Sequence, residues 1–217
     1  MKKNYDAVLF DFDGTFADTG EGIFESVQYA VEALGFRPLT DETLKRFIGP
    51  PIFDSFRREL GIDDARADFA VTKYREAYAE SGILKFRIYD GILDLLRELK
   101  DNGIKIGIAS AKPQKFIIRI VAHLGLEDYF DYISAPADDK ADQSKVRLIT
   151  KAAEALKAEK SRVLMVGDRH FDINGANGAG VRSIGVTFGY GSEEELRSAG
   201  ATFIARNVAE VRDIIFR

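Results

Sequence analysis

Short runs of apolar, β-forming residues alternate with longer amphipathic stretches along most of this 217-residue chain. Several of the short runs are apolar at consecutive positions, as expected for strands that are covered on both faces. The longer stretches carry apolar residues at helical spacing, and several end at a glycine. Strands that alternate with helices form a parallel sheet with helices on both faces, so we predict a doubly wound α/β fold. The predicted strands are Asp6–Phe12, Ile104–Ser110, Tyr132–Ala135, Val163–Gly167, Ser183–Val186 and Thr202–Ala205, and the helices between them include Gly91–Asn102, Pro113–Leu124 and Lys145–Lys157.

One stretch interrupts the alternation. From about Gly20 to Lys85 no convincing strand occurs, and apolar residues at helical spacing indicate several amphipathic helices instead. These helices could be part of the main core, but a single crossover rarely needs so many residues. We therefore predict a small α-helical cap domain at residues 18–86, inserted after the first strand, and an α/β core domain at residues 1–17 and 87–217.

The composition excludes several classes of protein. Hydrophobic residues make up 46% of the chain, charged residues 30%, and the net charge is -4, which gives no indication of a nucleic-acid-binding surface. The chain has no cysteine, so it has neither disulfides nor a thiolate site. No apolar segment is long enough for a signal peptide or a membrane span. We expect a cytoplasmic protein without a membrane or nucleic-acid partner, and whether it is a monomer or a homodimer stays open.

Two carboxylates, Asp11 and Asp13, stand two residues apart where the first predicted strand ends. Gly14 lets the chain turn directly after them, so that both carboxylates can point to one place beyond the strand. Neighbouring acids repel each other unless positive charge lies between them, and we therefore expect a divalent metal ion. The alternative interpretation is an ordinary turn, because Asp and Gly are common in turns.

Polar residues also follow other predicted strands. In open α/β sheets, ligands bind beyond the carboxyl ends of the strands. Asp168 and Asp172 follow Val163–Gly167, and their carboxylates supply the hard oxygen ligands that Mg²⁺ prefers. Ser110 ends the strand Ile104–Ser110, Lys112 follows it, and Lys145 opens the helix that precedes Val163–Gly167. These residues offer hydrogen-bond donors and positive charge to an anion. A metal site, an anion site and a free carboxylate together are typical of phosphoryl transfer.

Four motifs in this order resemble those of the haloacid dehalogenase-like superfamily, in its phosphatase branch. They are DxDGT at Asp11–Thr15, a strand-terminal Ser at Ser110, a Lys at the start of a helix at Lys145, and GDxxxD at Gly167–Asp172. The resemblance covers essentially the whole chain and is greatest for phosphoglycolate-phosphatase-like enzymes. It implies a Rossmann-like core with an inserted helical cap.

The resemblance also implies a role for each motif residue. Asp11 is the expected nucleophile, which forms an aspartyl phosphate, and Asp13 the expected acid and base. Mg²⁺ is expected to be held by Asp11, Asp168 and the backbone carbonyl of Asp13. Ser110 and Lys145 are expected to act in catalysis as phosphate ligands, with Asp172 and Lys112 supporting the site. The residues expected to bind substrate are Gly14, Thr15, Ser110, Ala111 and Lys145.

The lysine of the third motif has an alternative. Many family members have Pro after this lysine, whereas Val146 follows Lys145 here, so Lys140 is a competing candidate. We favour Lys145 because an amphipathic helix begins there.

The expected function is the Mg²⁺-dependent hydrolysis of a small phosphomonoester, with phosphoglycolate as the first candidate. A nucleoside 5′-monophosphatase and a pyrophosphatase are alternatives, followed by a sugar-phosphate mutase and a non-catalytic binding module. Asp13 argues against a hydrolytic dehalogenase, which needs no second acid. Thr187–Gly191 is glycine-rich but lacks the Lys-Ser/Thr of a nucleotide-binding P-loop.

Overall fold

The computed structural model describes residues 4–138 and 143–217. The chain divides into two compact units, one formed by Met1–Ala17 with Ile88–Arg217 and the other by Asp18–Arg87. Two short strands, β2 (Ala17–Asp18) and β3 (Arg87–Ile88), pair with each other at the points where the chain passes from one unit to the other. The sequence did not predict these two strands.

The first unit is built on a six-stranded parallel sheet, which confirms the predicted α/β fold. The strand order is β5-β4-β1-β6-β7-β8, with β1 between β4 and β6. All residues of β1 and β6 are buried, in agreement with their continuous apolar sequences. The strands are β1 (Ala7–Phe10), β4 (Lys105–Ala109), β5 (Tyr132–Ser134), β6 (Val163–Gly167), β7 (Arg182–Val186) and β8 (Phe203–Ala205).

The first strand is shorter than predicted at both ends. Asp6 precedes it and forms a bidentate ion pair with Arg162, with atom separations of 2.6 and 2.9 Å. Asp11 follows it, although the Asp11 N–H still donates to the carbonyl of Val166 at 2.9 Å. The register pairs Phe10 with Ile108 and Val166. The residues that follow β1, β4 and β6 therefore emerge side by side at one edge of the sheet.

Helices cover the sheet, and two of them pack unusually closely. A Cβ atom added to Gly175 of α8 would lie 2.5 Å from the Cβ of Lys145 in α7, so that only glycine fits there. This close packing of α7 and α8 brings Lys145 next to the first turn of α8. The helices of this unit are α5 (Ile92–Asp101), α6 (Gln114–His123), α7 (Lys145–Ala155), α8 (His170–Ala179), α9 (Glu193–Ser198) and α10 (Val208–Phe216).

The second unit is helical and has its own aromatic core. Phe56 packs edge-on against Phe47 at 5.1 Å between ring centroids and against Tyr74 at 6.3 Å, and Tyr74 stacks on Tyr78. The second helix ends at Lys45, before the turn that leads to Pro50 and Pro51, because the residue preceding a proline disfavours helical backbone. The helices are α1 (Gly20–Ala33), α2 (Asp41–Lys45), α3 (Ile52–Leu60) and α4 (Asp64–Glu80).

Within the described residues, no helix combines the length and the apolar character that a membrane crossing requires.

Candidate active site

Three buried carboxylates meet at the carboxyl edge of the sheet. Asp11 follows β1, Asp168 follows β6, and Asp172 lies in the first turn of α8. One oxygen from each lies within 4.8 Å of the others, and the three residues are no more than 5% exposed. Three acids so close together and so deeply buried repel one another, because water cannot screen their charges.

Lys145 is the cation of this cluster. Its Nζ lies 2.6 Å from Asp11 Oδ1 and 2.6 Å from Asp172 Oδ1. It also donates to the carbonyl of Ala109 at 2.9 Å, at the end of β4. The amine therefore links two acids to the adjacent strand, and its side chain is only 10% exposed.

The charges of the cluster do not balance. Burial, assisted by Asp172 and Asp13 and opposed by Lys145, raises the pKa of Asp11 to about 6. Burial and the nearby Asp172 and Asp11 also raise the pKa of Asp168 well above its ordinary value. Burial disfavours the charged form of Lys145, but Asp11 and Asp172 raise its pKa above the usual value. One lysine thus leaves negative charge uncompensated among the three acids.

Asp168 is oriented by hydrogen bonds from two different loops. The hydroxyl of Thr15 donates to its Oδ1 at 3.3 Å, and the backbone N–H of Tyr190 donates to its Oδ2 at 2.8 Å. Gly14, with φ of +83°, makes the turn before Thr15, and a Cβ there would lie 2.6 Å from the Tyr190 ring. The turn after Asp13 therefore needs glycine both for its backbone conformation and for space.

Asp13 has a different partner from Asp11. Its two carboxylate oxygens lie 2.9 and 3.2 Å from Lys112 Nζ, and the Lys112 side chain is only 4% exposed. The hydroxyl of Ser110 accepts a hydrogen bond from the Lys112 N–H at 3.3 Å. The buried Ser110 and the half-buried Ala111 follow β4 and lead directly to Lys112.

The structure brings the predicted site residues to one edge of the sheet. Asp11 lies close to both Asp168 and Lys145, but the acid that completes the cluster is Asp172, which was predicted only as a supporting residue. Asp13 was predicted to bind the metal through its backbone carbonyl, and its carboxylate forms an ion pair with Lys112. The competing lysine, Lys140, is outside the described residues. The roles of all these residues stay predictions.

Sequence reasoning missed one supporting residue, Glu195 of α9. Its Oε1 accepts from Arg169 Nε and from the His170 N–H, both at 2.9 Å, and lies 2.6 Å from His170 Nδ1. Partial burial works against its charge, but these hydrogen bonds hold the pKa of Glu195 below its usual value. Glu195 thereby fixes the start of α8, which carries Asp172. Its only signal in the sequence was a run of three glutamates, which indicated a helix start.

Cationic residues of the helical unit form ion pairs within that unit. Arg46 and Arg58 both bind Glu59, with closest atoms at 3.3 and 2.6 Å, and Arg57 binds Asp64 at 2.9 Å. Each of these three arginines therefore has a carboxylate partner within the helical unit.

Comparison with known proteins agrees with this architecture. The chain is 37% identical to a 5′-nucleotidase from Pseudomonas aeruginosa, over 97% of this chain and 96% of the nucleotidase. It is 30% identical to the tyrosine-protein kinase PtkA from Mycobacterium tuberculosis, over 96% of this chain and 72% of PtkA. The crystal structure of a predicted phosphatase from Clostridium acetobutylicum has a TM-score of 0.91 and 38% identity, covering 97% of this chain and 98% of the other.

The match to a family model spans most of both units. The model for haloacid dehalogenase-like hydrolases matches residues 8–186, a range that contains all four motifs and the helical insert. Together with the fold and the position of the motif residues, this match identifies the chain as a member of the haloacid dehalogenase-like hydrolase family.

Proposed function

We propose that this protein is a Mg²⁺-dependent phosphatase that hydrolyses a small phosphomonoester through Asp11. The observation that supports the proposal is the buried cluster of Asp11, Asp168 and Asp172, with Lys145 2.6 Å from two of the acids. Such an arrangement offers a nucleophilic carboxylate next to a place for a cation and next to a positive charge for the phosphate group.

The donor set fits a hard divalent cation. All three acids of the cluster offer oxygen atoms, which suits Mg²⁺ better than a softer metal. Burial, together with the neighbouring acids, raises the pKa of Asp11 and of Asp168, and a bound cation would stabilise the charged forms of both. Asp11 and Asp168 would hold the ion, together with the backbone carbonyl of Asp13, and Asp172 would keep Lys145 in place. The ion would supply positive charge that reduces repulsion between the nucleophile and the anionic substrate.

The reaction would then proceed in two steps. Asp11 attacks phosphorus while the leaving-group oxygen takes a proton from Asp13, and the phosphoryl group is transferred to Asp11. In the second step, Asp13 takes a proton from water, the water oxygen bonds to phosphorus, and Asp11 is released. Ser110 and Lys145 bind the phosphoryl oxygens in both steps. Lys112 keeps the carboxylate of Asp13 in place beside them.

Two substrate classes have separate support. Phosphoglycolate is the first candidate because of the motif resemblance described above. A nucleoside 5′-monophosphate is the second, because the 5′-nucleotidase shares 37% identity over nearly the whole chain. Both are phosphomonoesters, so the same residues of the sheet edge would act on either.

A phosphatase assay on several substrates tests the proposal. Phosphoglycolate, nucleoside 5′-monophosphates, a sugar phosphate and inorganic pyrophosphate are incubated with the enzyme, and released inorganic phosphate is measured with Mg²⁺ and with EDTA. We expect release from at least one phosphomonoester, and its loss in EDTA. A further reaction with ATP and a tyrosine-containing peptide detects transfer to tyrosine, the activity named for PtkA. No phosphate release from any substrate, or transfer to the peptide alone, would contradict the proposal.

A further inference from the structure

The glycine-rich segment Thr187–Gly191 follows β7, the strand next to β6. It lacks the residues of a P-loop, and the two reaction steps leave it without a role. In the structure this segment lies directly against Asp168: the backbone N–H of Tyr190 donates to Asp168 Oδ2 at 2.8 Å. We call residues 187–191 the β7 loop.

Two glycines allow this approach. A Cβ atom added to Gly189 would lie 2.5 Å from both the Cβ and Oδ2 of Asp168, and even closer to the carbonyl oxygen of Gly14. A Cβ at Gly191 would collide with the carbonyl oxygen of Asp168. Such separations are too short for real Cβ atoms, and most of the opposing atoms belong to the backbone or to a fully buried side chain. The β7 loop therefore contacts Asp168 so closely only because it has no side chains at these two positions.

The contact matters because it is one of two hydrogen bonds that the described part of the chain donates to the Asp168 carboxylate. Asp168 is fully buried, its Oδ1 accepts from the Thr15 hydroxyl, and its Oδ2 accepts from the Tyr190 N–H. Residues that hydrogen-bond to a metal-binding carboxylate fix its orientation and contribute strongly to metal affinity. We propose that the β7 loop is a positioning element for the cation site, in which Gly189 lets the Tyr190 N–H orient the Asp168 carboxylate. This inference rests on the proposed function, since it assumes that Asp168 holds the cation.

The variant Gly189→Ala tests the inference directly. Calorimetric titration with MgCl₂ in the absence of substrate measures the dissociation constant, and thermal unfolding is followed with and without Mg²⁺. We expect the Mg²⁺ dissociation constant to rise about tenfold or more, as for other changes next to metal ligands. The increase in melting temperature caused by Mg²⁺ should shrink accordingly.

Gly107→Ala is the matched control. A Cβ there would lie 2.7 Å from Leu9 Cδ2, so this variant disturbs the packing of β4 on β1 without touching Asp168. We expect a lower melting temperature in the absence of metal but an unchanged Mg²⁺ dissociation constant. Loss of stability in Gly189→Ala with unchanged Mg²⁺ affinity would show a merely structural role and overturn the inference.

A second measurement needs no variant, in case Gly189→Ala does not fold. NMR titration of the ¹⁵N-labelled wild-type protein with MgCl₂ should shift the Tyr190 amide resonance with the same midpoint as the calorimetric titration. An unchanged Tyr190 resonance at saturating Mg²⁺ would overturn the inference alone. If the wild-type protein does not bind Mg²⁺ at all, the proposed cation fails as well, so the two failures can be told apart.

Discussion

Asp11→Asn is expected to abolish phosphate release while leaving the protein folded. Asparagine has nearly the volume of aspartate but no carboxylate to attack phosphorus, and loss of a nucleophile typically costs on the order of 10⁴-fold or more in kcat. The variant also removes one negative charge from the crowded cluster, so that we expect unchanged or increased stability without metal, in agreement with the raised pKa of Asp11. Released inorganic phosphate and thermal unfolding measure the two effects.

Asp101→Asn is the matched control for this prediction. Asp101 is exposed at the end of α5, outside the site, and the exchange of residue types is the same. This control should retain wild-type turnover. Near-normal turnover in Asp11→Asn on a substrate that the wild type hydrolyses well would remove Asp11 from the nucleophile role.

Lys145→Met is expected to reduce both stability and turnover. Methionine keeps much of the apolar stem but leaves Asp11 and Asp172, whose side chains are 7% and 1% exposed, without their cation. Breaking a buried ion pair from one side commonly costs about 3 kcal/mol in the free energy of unfolding. Loss of a phosphate ligand should also lower kcat by about a hundredfold or more. Urea unfolding without metal and steady-state kinetics with Mg²⁺ measure these changes.

Two further variants make the Lys145 prediction specific. Lys151→Met removes an exposed lysine from the same helix and should change the unfolding free energy by less than about 0.5 kcal/mol. Adding Asp172→Asn to Lys145→Met removes one of the two carboxylates that the lysine no longer neutralises. The double variant should therefore lose less unfolding free energy than the sum of the two single losses. Additive effects, or a Lys145→Met protein as stable and active as the wild type, would contradict the assigned contacts.

The sequence was informative about the sheet and its polar edge for a physical reason. β1 and β6 are continuous apolar runs, and the residues that follow parallel strands lie at the same carboxyl edge of the sheet. The meeting of Asp11 and Asp168 therefore follows from topology once both strands are recognised. The start of α7 was also correct, because the apolar spacing begins at Lys145.

Contacts between loops could not be predicted in the same way. The pairing of Asp13 with Lys112 depends on how two turns are oriented, and no residue periodicity encodes that orientation. The approach of Gly189 to Asp168 joins residues far apart in the chain, and in the sequence its glycines indicate only a turn. The place of Asp172 in the acid cluster could not be predicted either, because the first turn of α8 sets the direction of its side chain.

The central claim is that Asp11 carries the phosphoryl group during turnover. Rapid mixing of wild-type enzyme with Mg²⁺ and a good substrate, acid quenching within the first turnover, and peptide mass spectrometry would test it most directly. We predict a phosphorylated peptide whose modified residue is Asp11, present during turnover and absent after substrate is exhausted. Phosphate release with no phosphorylated peptide at any quench time, or a phosphoryl group on another residue, would contradict the account.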